Sequence, residues 1–344
     1  MSAAPSIAVF GAGLIGRRHV EQALAQARLA AIVDPSEAAR DLARNHGISY
    51  FTTPDACLAE MRPDGVVIAT PNHLHAEHAL LCLAESIPVL IEKPAADTLE
   101  NAARIEDATA STGVPVLVGH HRRHNPIVAR AREVISAGHL GDIVAVQGQF
   151  WLYKPDDYFE ASWRKTPGAG PLMINFIHDV DLLRSLCGDI VEVQAMRSNA
   201  QRGSPVEDTA AILMRFANGA LGTFSLSDTI AAPWSWEMTS GENPIYPHRP
   251  GTCYMIGGTE AALSIPDLQL WSHTGARSWW NPIESETLVV NHLDAFAAQF
   301  THFIDVIKGA EPLVSAREGR KSLAAVQMVL EAALTGSGGA LVTS

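Results

Sequence analysis

Cysteine is scarce in this chain, and its few copies form no pattern. Cys57, Cys82, Cys187 and Cys253 include no CxxC pair, so neither a zinc knuckle nor a disulfide framework is indicated, and a reducing cytoplasm is the expected setting. No basic segment followed by an apolar stretch opens the sequence, and no secretory signal is expected. Long hydrophobic runs are missing too. The best candidate, 79–91, is interrupted by Glu85, Ser86 and Pro88 and is too short to cross a bilayer. Positive charge is outnumbered, with 25 Lys and Arg against 37 Asp and Glu and a net charge of −12. That balance argues against nucleic acid or an anionic membrane surface as a partner. The acids are spread along the chain, so the charge reads mainly as solubility. Internal repeats and long low-complexity segments are absent; only 336–339 looks like a flexible tail.

What is present is a globular composition, 47% apolar and 18% charged, over 344 residues. At about 150 residues per domain, that length suggests two domains with a core each. The first of them opens on Ile7-Ala8-Val9-Phe10, a short buried-strand pattern ended by glycine. Gly11-Ala12-Gly13-Leu14-Ile15-Gly16 follows, then a helical pattern to about Arg28, then a second apolar run from Leu29 to Val33 that ends in Asp34. Strand, glycine turn, helix, strand and acid in that order specify a dinucleotide site. Gly11 bends the turn, Gly13 lets backbone approach a pyrophosphate, and Gly16 lets the helix lie close to the strand. The amides at the helix start, from Leu14 and Ile15 to Gly16, would hold the phosphates. Asp34, eighteen residues after Gly16, suits a ribose hydroxyl and favours NAD over NADP, because a carboxylate repels a 2′-phosphate. Arg40 is the nearby cation that would soften that preference.

Helical and apolar patterns alternate as far as residue 119. Strand patterns at 65–69, 89–91 and 114–119 are separated by helical ones at 73–85 and 99–112, which predicts a doubly wound parallel sheet. Gly11, Asp34, Thr70, Lys93 and His120 all fall at carboxyl ends of these strands, where ligands of such sheets bind. After Arg122 the pattern changes. Helices are expected at 126–137 and 175–187, then strands at 191–198, 209–216, 220–227, 236–240, 252–257, 263–265 and 268–272. Asn218-Gly219 marks a hairpin, and helices near 294–308 and 316–334 close the chain. The expected organisation is therefore a Rossmann domain over 1–122 and an α+β domain with an open, mostly antiparallel sheet over 123–344. One face of that sheet needs a cover, and a homodimer or homotetramer would supply it.

Lys93 is the sharpest chemical candidate. It lies between Glu92 and Pro94 at a strand end. Proline keeps Lys93 out of the helical region, so its side chain can be aimed. Beside a dinucleotide an amine can take the alcohol proton as hydride leaves; the plainer reading is a surface lysine paired with Glu92. His178 shares a helix face with Asn175 and Asp181 and reads either as a group that fixes a substrate oxygen or as a balanced surface histidine. His73, His75 and His78 lack a metal-ligand pattern, since His73 and His75 point apart on a helix, and no metal is expected. In 120–125, His121, Arg122 and Arg123 suit either an anionic or hydroxylated substrate or a domain seal. Tyr246 and His248 belong to an aromatic, proline-bearing insertion with Trp234, Trp236, Arg249 and Tyr254. That insertion reads as substrate pocket or as core packing.

Four motifs together resemble the glucose–fructose oxidoreductase, inositol dehydrogenase and MocA (Gfo/Idh/MocA) family over nearly the whole length. They are Gly11 to Gly16 with Asp34, Thr70-Pro71-Asn72-His73-Leu74-His75, Glu92-Lys93-Pro94, and Gly168 through His178-Asp179-Val180-Asp181. The resemblance implies a Rossmann domain followed by an open-sheet domain that holds substrate and oligomerises. It implies that Thr70, Pro71, Asn72 and His75, with Glu92 and Lys93, line the cofactor. Lys93 would be the catalytic lysine and His178 its partner. The family often has Asp four residues before the motif histidine, where this chain has Ile174. Asn175 follows and can donate and accept but carries no charge. Gly168-Ala169-Gly170 also replaces a closely packed glycine pair.

The reading is a cytoplasmic NAD(H)-dependent oxidoreductase acting on a secondary alcohol of a sugar, polyol or cyclic diol. Lys93, His178 and Asn175 are its catalytic set. One alternative is a dehydrogenase of a carboxylated dihydrodiol or hydroxy acid in aromatic catabolism. Another is a non-catalytic cofactor-binding sensor.

Overall fold

The first strand, β1 (Ser6–Phe10), is buried along its whole length, as expected of a strand covered on both faces. In this computed structural model, which describes residues 4–166, 168–291, 293–336 and 339–340, the chain forms two units. One comprises 1–124 with 295–323 and the other 125–294 with 324–344.

In the first unit β1 is followed by α1 (Leu14–Gln26), β2 (Arg28–Val33), α2 (Glu37–His46), β3 (Ser49–Phe51), α3 (Pro54–Glu60), β4 (Gly65–Ile68), α4 (His75–Ala84), β5 (Val89–Glu92), α5 (Leu99–Thr112) and β6 (Val116–Gly119). The six strands form a sheet in the order β3-β2-β1-β4-β5-β6, and every pairing is parallel. The order reverses between β1 and β4, the switch point at which such sheets bind ligands. The caps explain the helix limits. Ser36 and Thr98 accept from the amides of Ala39 and Asn101, and Gly47 and Gly113 end α2 and α5 in the left-handed region.

The second unit adds α6 (Pro126–Ser136), β7 (Ile143–Trp151), α7 (Pro171–Ile174), α8 (Phe176–Cys187), β8 (Ile190–Ser198), β9 (Thr209–Phe216), β10 (Leu221–Ser227), α9 (Trp236–Thr239), β11 (Tyr254–Gly258), β12 (Ala261–Ile265), β13 (Gln269–His273) and β14 (Ile283–Thr287). Then come α10 (Ala295–Ile307), α11 (Ala316–Thr335) and β15 (Gly339–Ala340). Its sheet runs β14-β13-β12-β11-β7-β10-β9-β8-β15. All pairings are antiparallel except β7 with β10. Burial alternates along β9, with Ala210, Ile212, Met214 and Phe216 inside. These side chains pack with Phe150, Phe224 and Tyr254 and with Phe176, Val180 and Leu183 of α8 in one apolar core.

Three expectations change. The helix α10 does not belong with the second unit. It packs in the first, where a Cβ on Gly65 would stand 2.5 Å from Ile307. The boundary placed at 122 thus misses a C-terminal return. The strand expected over 236–240 is the short helix α9, because Ser235 caps it and accepts from the Met238 amide. The strand β14 was not anticipated; all five of its residues are exposed, so it lacks the alternation of burial that marks a half-buried strand. In the segment 336–339, residues 337 and 338 lie outside the described residues, and Gly339 with Ala340 pairs with β8.

Candidate active site

The glycine turn joins β1 to α1. Gly11 has φ +88°, and a Cβ there would lie 2.6 Å from the carbonyl of Ala69 at the end of β4. A Cβ on Gly16 would meet the Gly11 carbonyl oxygen at 2.0 Å. These two glycines are required by the turn itself. Gly13 differs, for nothing lies within 4 Å of the Cβ it lacks. The fold itself does not require glycine there for space. No side chain caps α1, and no acid stands in its first turn, while Leu14 is 82% exposed and Ile15 is exposed beside it. An uncapped helix start with open backbone amides fits a pyrophosphate.

Asp34 lies at the end of β2, half-buried. Its carboxylate accepts from the Ala12 amide at 2.8 Å and from the Ser36 amide at 2.8 Å. Burial pushes its pKa up, but those hydrogen bonds and the Arg17 charge outweigh burial and hold the carboxyl below its ordinary value. It is therefore an anion placed beside the turn, as a ribose hydroxyl requires. Arg40, the cation that could have favoured a 2′-phosphate, pairs instead with Glu37 at 3.2 Å and lies over the Tyr50 ring.

At the carboxyl end of β4, Pro71 and Asn72 are exposed and Thr70 is half-buried. The Thr70 hydroxyl lies 3.2 Å from His78 Nδ1. His75 was expected to line the cofactor, but it is buried, with Nδ1 2.9 Å from the Pro94 carbonyl and Nε2 2.8 Å from that of Thr70. It thereby ties the end of β4 to the residue after Lys93. Burial holds its imidazole below the ordinary value against the pull of those carbonyls and of Glu92 and Asp97.

Lys93 leaves the end of β5 half-buried. The neighbouring Glu92 does not face solvent as a cofactor contact would. Its carboxylate takes a hydrogen bond from His19 Nε2 at 2.8 Å. Burial alone would raise the Glu92 pKa, yet His19, with the charges of His121 and Lys93, brings it below the usual range. His19 escaped the sequence reading. Its signal was there, because Gly16, His19, Val20 and Ala23 form the buried stripe of α1, and a histidine on an apolar stripe needs a partner.

The basic cluster after β6 is mostly interior. Arg122 and Arg123 are buried, and Arg123 pairs with Glu318 at 3.3 Å. Both partners belong to the first unit, so this pair braces that unit from within. His121 is half-buried beside Phe296.

In the second unit, Asn175 stands between α7 and α8, and His178 follows half-buried with its amide bonded to the Asn175 carbonyl at 3.0 Å. Asn175 and His178 are thus adjacent across a helix break rather than on one continuous helix. Lys154, which gave no sequence signal, donates to Asn175 Oδ1 at 2.7 Å and lies 3.5 Å from Asp228. Burial lowers the Lys154 pKa, against the pull of Asp228. With Oδ1 occupied, the Asn175 amide nitrogen is the donor that side chain can offer to a substrate. Asp179 accepts from the Tyr254 hydroxyl. Gly170 is required here, since its Cβ would stand 2.1 Å from Glu207, whose carboxylate accepts from the Leu172 amide at the start of α7. Trp236 and Tyr254 are core residues, whereas Tyr246 and His248 are exposed.

Residues 6–120 match the model of the oxidoreductase family with NAD-binding Rossmann fold, and 128–263 match the Gfo/Idh/MocA C-terminal domain. The chain belongs to this family of NAD-binding oxidoreductases. It is 28% identical over 228 residues to the rhizopine catabolism protein MocA of Rhizobium meliloti, a match covering 64% of this chain and 70% of that protein. It is also 28% identical over 225 residues to inositol 2-dehydrogenase 2 of Saccharopolyspora erythraea, covering 63% of this chain and only 64% of the relative. In fold it is similar to the WlbA dehydrogenase from Bordetella pertussis in complex with NADH and UDP-GlcNAcA, with a TM-score of 0.79 at 24% identity, covering 99% and 100% of the two chains. Among the described residues no helix is long and apolar enough to cross a membrane.

Proposed function

We propose that this chain is an NAD(H)-dependent dehydrogenase moving a hydride between nicotinamide and a secondary alcohol carbon of a sugar, polyol or cyclic diol. The position of Lys93 carries the reading. It leaves β5 at the same edge of the parallel sheet as the glycine turn, Asp34 and Thr70, where ligands of such sheets bind. The turn amides of 13–16 would hold the pyrophosphate and Asp34 the ribose, with Thr70, Pro71 and Asn72 as a wall. NAD, when bound, supplies the hydride acceptor. Lys93 takes the hydroxyl proton during oxidation and returns it during reduction. Asn175 and His178 orient the reacting oxygen, Asn175 as donor. His121, Arg122, Tyr246 and His248 remain candidates for the substrate's other groups. No disulfide joins the four buried cysteines, which suits a reducing cytoplasm.

A second copy of the chain is the proposed cover of the open sheet. On its exposed face Leu213, Thr223 and Gln147 stand in one row and Arg215, Leu221 and Ala145 in the next. They border an apolar trough of about 620 Å³ that also takes in Met255 and Val193.

A panel of polyols, sugars and ring diols, with and without carboxylates, followed by NADH absorbance, tests the substrate class. Lys93→Met is expected to bind NAD and to lose about 100-fold or more in kcat, the contribution of one acid–base group. Turnover near the parental rate overturns the assignment. NAD binding with no turnover across the panel points to the sensor, and turnover only of carboxylated diols or hydroxy acids points to the aromatic-catabolite enzyme.

A further inference from the structure

Two buried histidines reach the residues on either side of Lys93. From α1, His19 places Nε2 2.8 Å from the Glu92 carboxylate, one residue before the lysine. From the start of α4, His75 places Nδ1 2.9 Å from the Pro94 carbonyl, one residue after it. We propose that His19 and His75 are positioning residues, a pair of braces that fix the Glu92-Lys93-Pro94 turn and so set where the Lys93 amine stands. The inference deepens the acid–base reading of Lys93 and rests on it.

The surroundings of each brace support it. His19 is fully buried, its ring 4.5 Å from that of Phe296 and 6.4 Å from that of Phe300. Its Nδ1 has no hydrogen-bond partner among the described residues. A carboxylate only accepts, so Nε2 is the donor. Among the described residues, Glu92 is the polar contact of that ring. On the strand beside Glu92, Gly119 makes the room. A Cβ there would come within 3.2 Å of the Glu92 backbone and carboxylate. Glycine at that register lets the carboxylate fold back toward α1 instead of extending outward.

His75 has no solvent access to speak of and two carbonyl neighbours, Pro94 and Thr70. A neutral ring donates to one of them, and an imidazolium donates to both. Either way it links Thr70, at the start of the Thr70-Pro71-Asn72 turn, to the residue after Lys93. The two braces thus descend from the elements expected to touch the cofactor. The helix that offers its first amides to the phosphates holds Glu92, and the turn after β4 holds Pro94. A side chain displaced by an ångström at a reacting centre can cost two orders of magnitude in rate, so a lysine on a long flexible stem gains from a backbone held at both flanks.

The test compares His19→Leu and His75→Leu with His19→Gln and His75→Gln, which keep a donor. Full-length protein with and without NAD is followed by amide hydrogen exchange over 92–95. Hydride transfer is followed with whichever polyol or sugar of the panel above is turned over fastest. Both Leu variants are expected to speed exchange over 92–95 about tenfold, as local opening becomes easier. They should lower kcat about tenfold or more while NAD affinity stays within about threefold. The Gln variants should recover most of both. Unchanged exchange in the Leu variants, or Gln variants no better than Leu, overturns the braces. Where a Leu variant does not fold, His19→Asn or His75→Asn, with a donor too short to reach, replaces it and is judged the same way. The exchange readout does not depend on the acid–base role. If Lys93→Met turns over normally, the catalytic reading fails while the exchange result still decides the braces.

Discussion

Asp34, the residue proposed for the ribose, also holds the fold. One of its oxygens accepts from the Ala12 amide inside the glycine turn, so the acid expected to bind a ribose also stiffens the loop expected to bind phosphate. The buried thiols show the opposite case, side chains with a structural role alone. Burial pushes Cys57 up to about 11, and Cys82 and Cys187 up to about 12, from 9.0. A thiol whose folded pKa is raised stabilises the fold below its unfolded value and loses that contribution as pH rises toward the folded one. Stability should therefore fall as pH climbs above 9.0, by at most about 1.4 kcal/mol per pH unit per thiol. Thermal midpoints from pH 8 to 10.5 check this. Cys82→Ser, which cannot ionise there, should flatten the decline, and an unchanged slope would refute the assignment.

Among elements, the β1–α1 junction separates the roles of its glycines. A Cβ added at Gly16 would meet the Gly11 carbonyl oxygen at 2.0 Å, whereas one added at Gly13 would meet nothing within 4 Å. Gly16→Ala should destabilise the protein by about 2 kcal/mol or more, the scale of overpacking against backbone, and should lose NAD binding with it. Gly13→Ala should leave the melting temperature within a degree or two and weaken NAD about tenfold, because only a bound pyrophosphate needs that space. Equal melting temperatures for the two variants would refute the distinction. At the other junction, α7 to α8, the helix breaks at Asn175. At that break the Asn175 side chain accepts from Lys154.

For the molecule as a whole, the open face of the nine-stranded sheet carries the clearest expectation. Leu213 and Leu221 are each more than half exposed at its centre, where a charge would have to be buried against a second copy. Leu213→Asp is expected to shift the protein from dimer or tetramer to monomer by light scattering, with NAD binding by the isolated chain retained. A parental protein that is already monomeric removes the proposal. The return of α10 to the first unit belongs to this scale too. Gly65 is open enough to admit Ile307, and that pairing spans most of the chain.

Most of the architecture was legible before any coordinates. The buried runs of β1, β4, β5 and β6 are apolar without interruption, and parallel strands covered on both faces leave no other pattern. The glycine turn, Asp34 and Lys93 were legible because each is tied to chemistry at a fixed offset from a strand end. Local signals misled at α9, where a serine cap outweighed aromatic strand propensity, and failed at β14, which is exposed throughout. The partners of His19 and Lys154 were invisible because Glu92 and Asn175 are 73 and 21 residues away. Sequence alone determined the class of fold and the dinucleotide-binding domain and put Lys93 forward as the candidate, since these follow from short-range periodicity and turn chemistry. Only the tertiary structure decided which groups hold that lysine's neighbours, that both arginines of the basic cluster are interior, and which helix returns to the first unit. Those depend on contacts between distant segments, and no local pattern encodes which buried donor will meet which buried acceptor.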